Sequence, residues 1–393
     1  MLRLSLRNVW ARKGRLLLTA VAVIAGTAFL SGVFVFTDTI KGSFHEMFAN
    51  AFAETDAYVR SSNVVEGQFG EERRDRIDVS LVDRVRTVPG VVEAHGDITG
   101  TATVTFDGEV LGQDGPPKFA GVWIESDASP WRIVDGAAPG EGGVVLDRMS
   151  SKAAGVVVGD TVTITSLGAP RQFTVSGIAT FAGNDSSGGT SWSLYTLPTA
   201  QEFIVGDSTR IDAIVVRGDG SLDQAALAST IESSIGDPEI EVLTGQEITE
   251  ENQSSVERAL GFITIFLSIF ALISLFVGSF IIYNVFSISA AQRTRENALL
   301  RAIGANRSQV ARSMFVEAIV VGFGGSALGC VGGVGLATLI LGVLSAVGMG
   351  PGDTSLVLNP QGFVLTMVVG VLVTVVCAIA PALRSGRVPP LAA

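Results

Sequence analysis

Four long runs of apolar residues constrain this chain more than any other feature. They cover residues 16–36, 260–289, 315–349 and 363–383, and Glu317 is the only charged residue within them. A helix rises about 1.5 Å per residue, so about 20 residues cross the roughly 30 Å hydrocarbon core of a bilayer. The sequence therefore predicts an α-helical membrane protein with four transmembrane helices, at about 16–36, 260–289, 315–347 and 363–383.

Basic residues orient the four helices. They are concentrated before the first run and between the second and third, at Arg3, Arg7, Arg12, Lys13, Arg15, Arg293, Arg295, Arg301, Arg307 and Arg312. The segment 350–362, between the third and fourth runs, has no Lys or Arg. Because positive residues collect on the cytoplasmic side, both termini and segment 293–312 are expected inside. That arrangement requires an even number of spans.

The first apolar run has a second interpretation, as a signal peptide, because basic residues precede it. Its apolar core is long for a signal peptide, and Phe29, Leu30 and Phe34 intrude where a small-residue cleavage site would lie. The sequence therefore favours an uncleaved anchor. Residues 1–15 carry apolar and basic residues on opposite sides, which predicts a cytoplasmic helix in the membrane interface.

Residues 37–259 are then expected outside the cytoplasm. They contain 35 acidic and 15 basic residues and no cysteine, because Cys330 and Cys377 both lie in predicted spans. Runs rich in Val, Ile, Thr and Phe predict strands at 91–95, 102–106, 119–124, 144–146, 161–165, 173–178, 213–216 and 240–243. Helices are predicted at 81–88, at 222–235 and from about Gly245, where Thr244 and Glu247 have the spacing of a capping box. The predicted fold class is thus four transmembrane helices with a large α+β extracytoplasmic domain between the first and second.

The chain offers little for catalysis or cofactor binding. Its two histidines, His45 and His95, have no metal-site spacing around them, and no GxxxxGK[ST] phosphate-binding motif occurs. Acidic pairs are numerous, but in a domain this acidic they are more often a solvated surface than a general acid and base. A Ser-His-Asp arrangement assembled from distant positions stays open, with nothing to favour it. We predict no catalytic residue, no metal, no cofactor on this chain and no nucleic-acid partner.

A short basic helix is predicted between the second and third spans, at about 293–304. At 100° per residue, one face is polar and carries Arg293, Asn297 and Arg301. The other face is apolar and carries Leu299, Ala302 and Ile303. Gly304 offers a stop, and Asn306 or Ser308 can cap the next helix. Such a helix suits binding by another molecule; the alternative is that its arginines only enforce topology.

The third span carries two features of its own. Glu317 is an ionisable group near the membrane, which is expected to be functional or to pair with Arg312 or Arg295 at the inner interface. Gly325 and Gly329 form a GxxxG pattern among small residues, which lets helices approach closely. We therefore predict a helix-packing face at these glycines.

Together these segments resemble the FtsX/MacB/LolC family of ABC transporter permeases, and the resemblance covers essentially the whole chain. The specific part is RENALLRAIGANRSQV followed by FVEA, where Arg295, Leu299, Arg301, Gly304 and Glu317 stand at matching places. The external phrases VDRVRTVPGVVEA, VVLDRMSSKAAGVVVGDTVTI and FTVSGIA are similar to the periplasmic core domain of the family. The final RSGRVPPLAA is similar to the sequence that ends a family repeat.

The resemblance implies a MacB-like periplasmic core domain at 37–259 and an FtsX-like permease domain at 260–393. It implies a subunit of the bacterial plasma (inner) membrane that works with a separate cytoplasmic ATPase, which binds the ATP. That ATPase would dock on the helix at 293–304 and move the external domain, a mechanism called mechanotransmission. The expected coupling residues are Arg295, Glu296, Leu299, Leu300, Arg301, Ala302, Ile303 and Gly304.

Further partners also follow from the resemblance. An ATPase dimer presents two docking sites, so we expect a second permease unit, either a second copy or a second repeat of a longer chain. Membrane lipid and an extracytoplasmic protein are further expected partners. Export or lipid-related transport is favoured because the family performs it, while the substrate stays open. The rival interpretation is a membrane-anchored sensor or scaffold that regulates an extracytoplasmic partner such as a cell-wall hydrolase.

Overall fold

The computed structural model describes residues 13–66, 72–112, 117–302, 306–346 and 355–385. These residues form two compact units. One is helical and holds residues 13–41, 258–343 and 355–385. The other is mixed and holds residues 42–257 and 344–346. Each unit has its own hydrophobic core.

The described residues contain nine α-helices. They are α1 (Lys13–Ala51), α2 (Leu81–Arg86), α3 (Arg148–Ala154), α4 (Leu197–Ala200), α5 (Gln224–Ile235), α6 (Gly245–Gln292), α7 (Thr294–Ala302), α8 (Arg307–Ala346) and α9 (Pro360–Ser385). Four of them, α1, α6, α8 and α9, are long and apolar enough to cross a membrane, which confirms the four predicted apolar helices. Both α1 and α6 are much longer than the apolar runs at 16–36 and 260–289. The apolar run marks what fits the hydrocarbon, whereas the helix continues wherever its backbone hydrogen bonds continue.

Seventeen strands are found in the described part of the mixed unit. They are β1 (Ala57–Ser61), β2 (Val64–Glu66), β3 (Glu72–Arg74), β4 (Ile77–Asp78), β5 (Val91–Asp97), β6 (Thr99–Thr101), β7 (Thr103–Phe106), β8 (Glu109–Val110), β9 (Lys118–Val122), β10 (Trp131–Gly136), β11 (Gly143–Asp147), β12 (Thr161–Thr165), β13 (Arg171–Phe181), β14 (Ser191–Tyr195), β15 (Arg210–Ile211), β16 (Ala213–Gly218) and β17 (Ile240–Thr244). With the helices of this unit they confirm a large α+β domain.

The smaller of the two main sheets, the small sheet, is antiparallel in the order β17–β1–β16–β5. Helix α2 packs against β5 and α5 against β17. Each helix joins two parallel strands that are not neighbours, which is the split β-α-β arrangement. One face of this sheet is apolar, and Val59, Ala94, Ile214 and Leu227 are fully buried there with the two helices.

The other main sheet, the large sheet, has nine strands in the order β6–β9–β14–β11–β13–β12–β7–β8, with β10 also paired to β13. Its strands come from the segment between β5 and β16, so this subdomain is an insertion in the small sheet. The pairs β11–β13 and β9–β14 are parallel, and the other pairs are antiparallel. Two short antiparallel pairs complete the unit: β2–β3, which are consecutive, and β4–β15, which are distant in the chain.

All eight predicted strands overlap observed strands, whereas nine observed strands were missed: β1, β10 and β14, and six strands of two or three residues each, β2, β3, β4, β6, β8 and β15. Two of the missed strands are central strands that contain buried serines, Ser61 in β1 and Ser193 in β14. A buried serine gives no apolar signal, so the alternating pattern was hidden. The capping box is confirmed, because the Thr244 N–H donates to Glu247 at 2.8 Å and the Glu247 N–H donates to the Thr244 hydroxyl at 3.1 Å.

Asp97, at the end of β5, is a half-buried carboxylate near Asp212. Burial, with a smaller contribution from the negative charge of Asp212, raises the pKa of Asp97 to about 6. A carboxyl group whose pKa is higher in the folded state than in the unfolded state binds more protons when folded. The folded state therefore loses stability as pH rises from about 4 to about 6.

We expect Asp97→Asn to stabilise the mixed unit at pH 7, on the order of 1–2 kcal/mol, because it removes a buried charge without changing volume. The difference from the unmodified protein should vanish near pH 4. Thermal unfolding of the detergent-solubilised chain, followed by tryptophan fluorescence, measures this effect, since Trp123, Trp131 and Trp192 lie in the unit. An equal gain at pH 4 and pH 7 would contradict it.

Candidate functional site

Helix α7 follows the membrane-type helix α6 and precedes the membrane-type helix α8 along the chain. It begins two residues after the end of α6 and is followed by α8 from Arg307. At its start, the Thr294 hydroxyl donates to the Ala291 carbonyl at 2.6 Å. Beyond it, Asn306 precedes α8, and its N–H donates to the Gln309 side chain at 2.9 Å. Of the two predicted caps for α8, Asn306 therefore occupies the position.

A buried ion pair joins the α6–α7 junction to α8. The Arg293 guanidinium donates two hydrogen bonds to the Glu317 carboxylate, at 2.7 Å and 3.1 Å. Both side chains are almost fully enclosed, with 13% and 10% exposure. A two-pronged arginine–carboxylate contact fixes orientation as well as distance. The pair therefore positions the start of α7 against α8.

Glu317 pairs with an arginine, as one of the two sequence interpretations predicts, but the arginine is not one of the two that were named. We expected Arg312 or Arg295, and the structure gives Arg293. The reason is geometric, because Arg293 follows α6 directly and lies beside Glu317, about three turns into α8. The available signal was that the single acidic residue of the four spans needs a nearby cation.

The two faces of α7 differ in exposure. Ala298 is 1% exposed, whereas the next residue, Leu299, is 65% exposed. Arg295 and Glu296 are exposed as well. Sequence reasoning missed Ala298 as the buried contact of this helix. The helix thus presents a large apolar side chain beside charged groups on its outer side.

Several predicted coupling residues lie outside what the structure describes. This applies to the side chains of Leu300, Arg301 and Ala302 and to Ile303 and Gly304 entirely. The predicted interfacial helix at 1–15 also lies outside the described residues, apart from the backbone of α1 from Lys13. The assignment of these positions to the coupling site stays a prediction.

One row of glycines on α8 lies against α1. A Cβ atom on Gly325 would come within 2.9 Å of Val23, and one on Gly329 would meet the Thr27 side chain. Gly333 continues the stripe and would place a Cβ 2.5 Å from Ser31. Thr27 and Ser31 are themselves fully buried. Small residues thus let the two helices approach more closely than any side chain would allow.

The described residues contain no group of three or more His, Cys, Asp or Glu that could hold a metal ion. Between β13 and β14, Asp185 pairs with Arg148 at the start of α3. Asp147, fully buried, accepts the N–H groups of Ser150 and Trp192 at 2.9 and 2.8 Å, which ties α3 to β14. These carboxylates therefore have structural partners.

Two family models match this chain. The MacB-like periplasmic core domain matches residues 16–234, which is more than half of the chain. The FtsX-like permease C-terminal model matches residues 268–390. Both descriptions are of permease components rather than of enzymes.

Among curated proteins, an uncharacterised ABC transporter permease of Mycobacterium tuberculosis is 26% identical over 63% of this chain and 28% of its own length. The macrolide export ATP-binding/permease protein MacB of Acinetobacter baylyi is 25% identical over 78% of this chain and 42% of its own length. MacB of Shewanella oneidensis is 30% identical over 37% of this chain and 21% of its length. The chain thus spans less than half the length of these relatives.

Two solved structures also match the chain. The periplasmic region of MacB from Actinobacillus actinomycetemcomitans is 15% identical, with a TM-score of 0.38 over 51% of this chain and 94% of that chain. The extracellular domain of the ABC-type transporter YknZ is 12% identical, with a TM-score of 0.33 over 47% and 98%.

Removing one partner of the Arg293–Glu317 pair leaves the other as an enclosed, uncompensated charge. We expect Arg293→Met to destabilise the helical unit by about 3–5 kcal/mol. The double variant Arg293→Met/Glu317→Met should recover most of this loss, because it removes both charges together. Thermal unfolding of the purified chain in detergent measures both variants. Equal losses in the single and double variants would show that the pair does not act as a unit.

Proposed function

This chain belongs to the family of FtsX-like permeases with a MacB-like periplasmic core domain, and on that basis we propose that it is the transmembrane permease subunit of an ABC transporter. A separate cytoplasmic ATPase binds and hydrolyses the ATP and docks on α7. Its movement passes through the membrane helices to the mixed unit by mechanotransmission. The transporter exports its substrate or moves lipids or lipoproteins.

The observation that carries the proposal is that one side of α7 is buried and held in place while its other side is exposed. The buried Arg293–Glu317 pair holds its start, and Ala298 faces inward. Leu299 then projects outward at 65% exposure beside Arg295 and Glu296. A large exposed apolar side chain with charged neighbours is suited to insertion into a protein groove. A helix that served only to orient the chain would need the charges but not the exposed leucine.

Helix α6 offers a route by which movement of the ATPase can reach the mixed unit. This helix is continuous from Gly245 to Gln292, so its first turns belong to the mixed unit and its last turn ends at the junction with α7. A continuous helix transmits displacement along its axis without loss at a loop. The proposal therefore assigns to α6 the transfer of motion between the ATPase and the external domain.

The membrane orientation in the proposal follows from charge. Basic residues flank α7 and precede α1, which supports placing both termini and α7 on the cytoplasmic side of the inner membrane. The mixed unit, with its 35 acidic and 15 basic residues over 37–259, then lies outside.

The proposal includes a second permease unit, and α6 offers a surface for it. Only 11% of the most apolar stretch of α6 is buried, against 50% for α1. Its exposed large residues include a stripe spaced alternately by four and three residues, Phe262, Phe266, Ile269, Ile273, Phe276 and Phe280. That spacing is typical of a seam between two helices that cross at a shallow angle. We assign this stripe, the α6 seam, to contact with the second unit.

We expect Leu299→Asp to abolish association with the ATPase while the chain still inserts and folds, because it places a charge in the proposed apolar contact without changing a span. The measurement is affinity isolation of the tagged chain from host membranes with identification of co-purifying proteins. ATP hydrolysis by the isolated complex is then assayed.

The matched control is Ser308→Asp, which adds the same charge at an exposed site in the first turn of α8, outside α7. A negative charge near a helix N-terminus is also favourable. Retention of a stoichiometric P-loop ATPase by Leu299→Asp would refute the docking site. Recovery of an extracytoplasmic protein without any ATPase would instead favour the sensor or scaffold function.

The α6 seam predicts a specific disulfide. In a background with Cys330→Ala and Cys377→Ala, Ile273→Cys should crosslink two copies in native membranes under mild oxidation. Leu272→Cys is the control, since it is at least as exposed, at 68% against 51%, but points about 100° away on the helix. Crosslinking at 272 with none at 273 would exclude the seam as the interface.

A further inference from the structure

The first turns of α6 are fixed to the small sheet by an arginine. Arg60 on β1 donates from both terminal nitrogens to the two Glu251 oxygens, at 2.9 and 2.5 Å. Its third donor, Nε, contacts Glu241 on the neighbouring strand β17 at 2.5 Å. The Arg60 side chain is only 9% exposed. Arg60 therefore ties a helix residue to two adjacent strands at once.

A second arginine completes the cluster. Arg74, the last residue of β3, pairs with Glu241 at 2.6 Å and lies 4.0 Å from Glu251. Burial lowers the pKa of Arg60, but the hydrogen bonds from Glu251 and Glu241 outweigh it, so the pKa is raised overall. Two positive and two negative groups balance, which allows the Arg60 guanidinium to be enclosed while the Glu241 and Glu251 side chains stay about one third exposed. Within this cluster, Glu251 is the member contributed by α6.

Helix α1 is attached to the mixed unit in a different way and at a different place. Its last turns carry Phe44, Met47, Phe48 and Ala51, which share one helical face. These residues pack with Trp131, Phe181, Leu194 and Trp192 of the large sheet. The contact is close, because a Cβ atom on Gly188, in the loop before β14, would lie 2.7 Å from the Phe44 ring. The attachment of α1 is thus mainly apolar and made with the large sheet, while one hydrogen bond, from the Gln253 side chain to the His45 carbonyl at 3.2 Å, links α1 to α6.

We propose that these two attachments drive the two sheets separately: the aromatic contact moves the large sheet with α1, and the Arg60–Glu251 contact moves the small sheet with α6. Arg60 and Glu251 are then positioning residues of the relay. A displacement of α6 relative to α1 changes the distance between the two sheets. This inference rests on the proposed function, since it takes the displacement of α6 from the ATPase cycle.

The geometry makes the ionic contact suited to this role. A bidentate arginine–carboxylate contact resists both sliding and rotation of α6 on the sheet, whereas an apolar contact alone resists mainly separation. Glu251 lies in the second turn of α6, next to the capping box at Thr244 and Glu247. The start of α6 is therefore held at two successive turns, so the sheet follows the helix.

The test measures the distance between the two sheets during the ATPase cycle. Nitroxide labels at Ser233→Cys on α5 and Leu167→Cys between β12 and β13 report on the small and large sheets, and both sites are exposed. The full chain, with Cys330→Ala and Cys377→Ala, is reconstituted with its ATPase in lipid nanodiscs. Double electron–electron resonance is recorded without nucleotide and with ATP plus vanadate.

Three variants separate attachment from folding. Glu251→Gln breaks the bidentate contact, and Glu250→Gln is the control, since Glu250 is exposed and bonds to Gln246 on its own helix. The double variant Arg60→Met/Glu251→Met leaves Arg74 and Glu241 paired, so the enclosed charge stays balanced. Its unfolding temperature, followed by tryptophan fluorescence, should exceed that of Arg60→Met alone.

We expect ATP to change the inter-sheet distance in the unmodified protein and in Glu250→Gln. The change should fall at least twofold in Glu251→Gln and in the double variant, while both variants retain ATP hydrolysis. If ATP changes the inter-sheet distance in these two variants as much as in the unmodified protein, the inference is overturned and the proposed function still stands. A complex that hydrolyses ATP with no change in the unmodified protein would overturn the relay itself, and the inference with it.

Discussion

The hydrocarbon core of a membrane offers no hydrogen-bond partner to the backbone, and this constraint governs much of the chain. Each peptide group within the bilayer must be satisfied inside its own segment, so the four apolar runs can only be helices. Once formed, a helix has no reason to end at the membrane surface. Helix α1 accordingly continues past its apolar run to Ala51. Helix α6 begins at Gly245, well before its apolar run. The chain thereby gains two continuous elements shared between its helical and mixed units.

The cost of an enclosed charge accounts for the second set of features. Glu317 on α8 is matched by Arg293, and Arg60 on the small sheet is matched by Glu251 and Glu241. In both places the arginine contact is bidentate, and in both it fixes a long helix to another element. Such pairs contribute little net stability, because the desolvation cost offsets the attraction. Their value is positional, since the energy rises steeply when either partner moves alone.

Much of the external domain could be predicted from residue pattern, and the failures have a common cause. The strand at Thr161–Thr165 and the capping box at Thr244 were predicted correctly because their signals are local. Strands β1 and β14 were missed because Ser61 and Ser193 are buried without being apolar. At the candidate site, the existence of the short helix follows from periodicity. The partner of Glu317 did not, because ion pairing depends on where two helices meet.

The sequence by itself determined the four apolar helices, the short amphipathic helix between two of them and the acidic α+β domain. These depend on periodicity, hydropathy and charge, which are properties of neighbouring residues. Only the tertiary structure decided that Arg293 rather than Arg295 or Arg312 holds Glu317, that Ala298 is buried beside an exposed Leu299, and that α6 is attached through Glu251 to Arg60. Each of these joins residues at least 24 positions apart or depends on a surface made by other elements. Contacts of that kind are set by how the helices and sheets pack, and a local pattern carries no record of that packing.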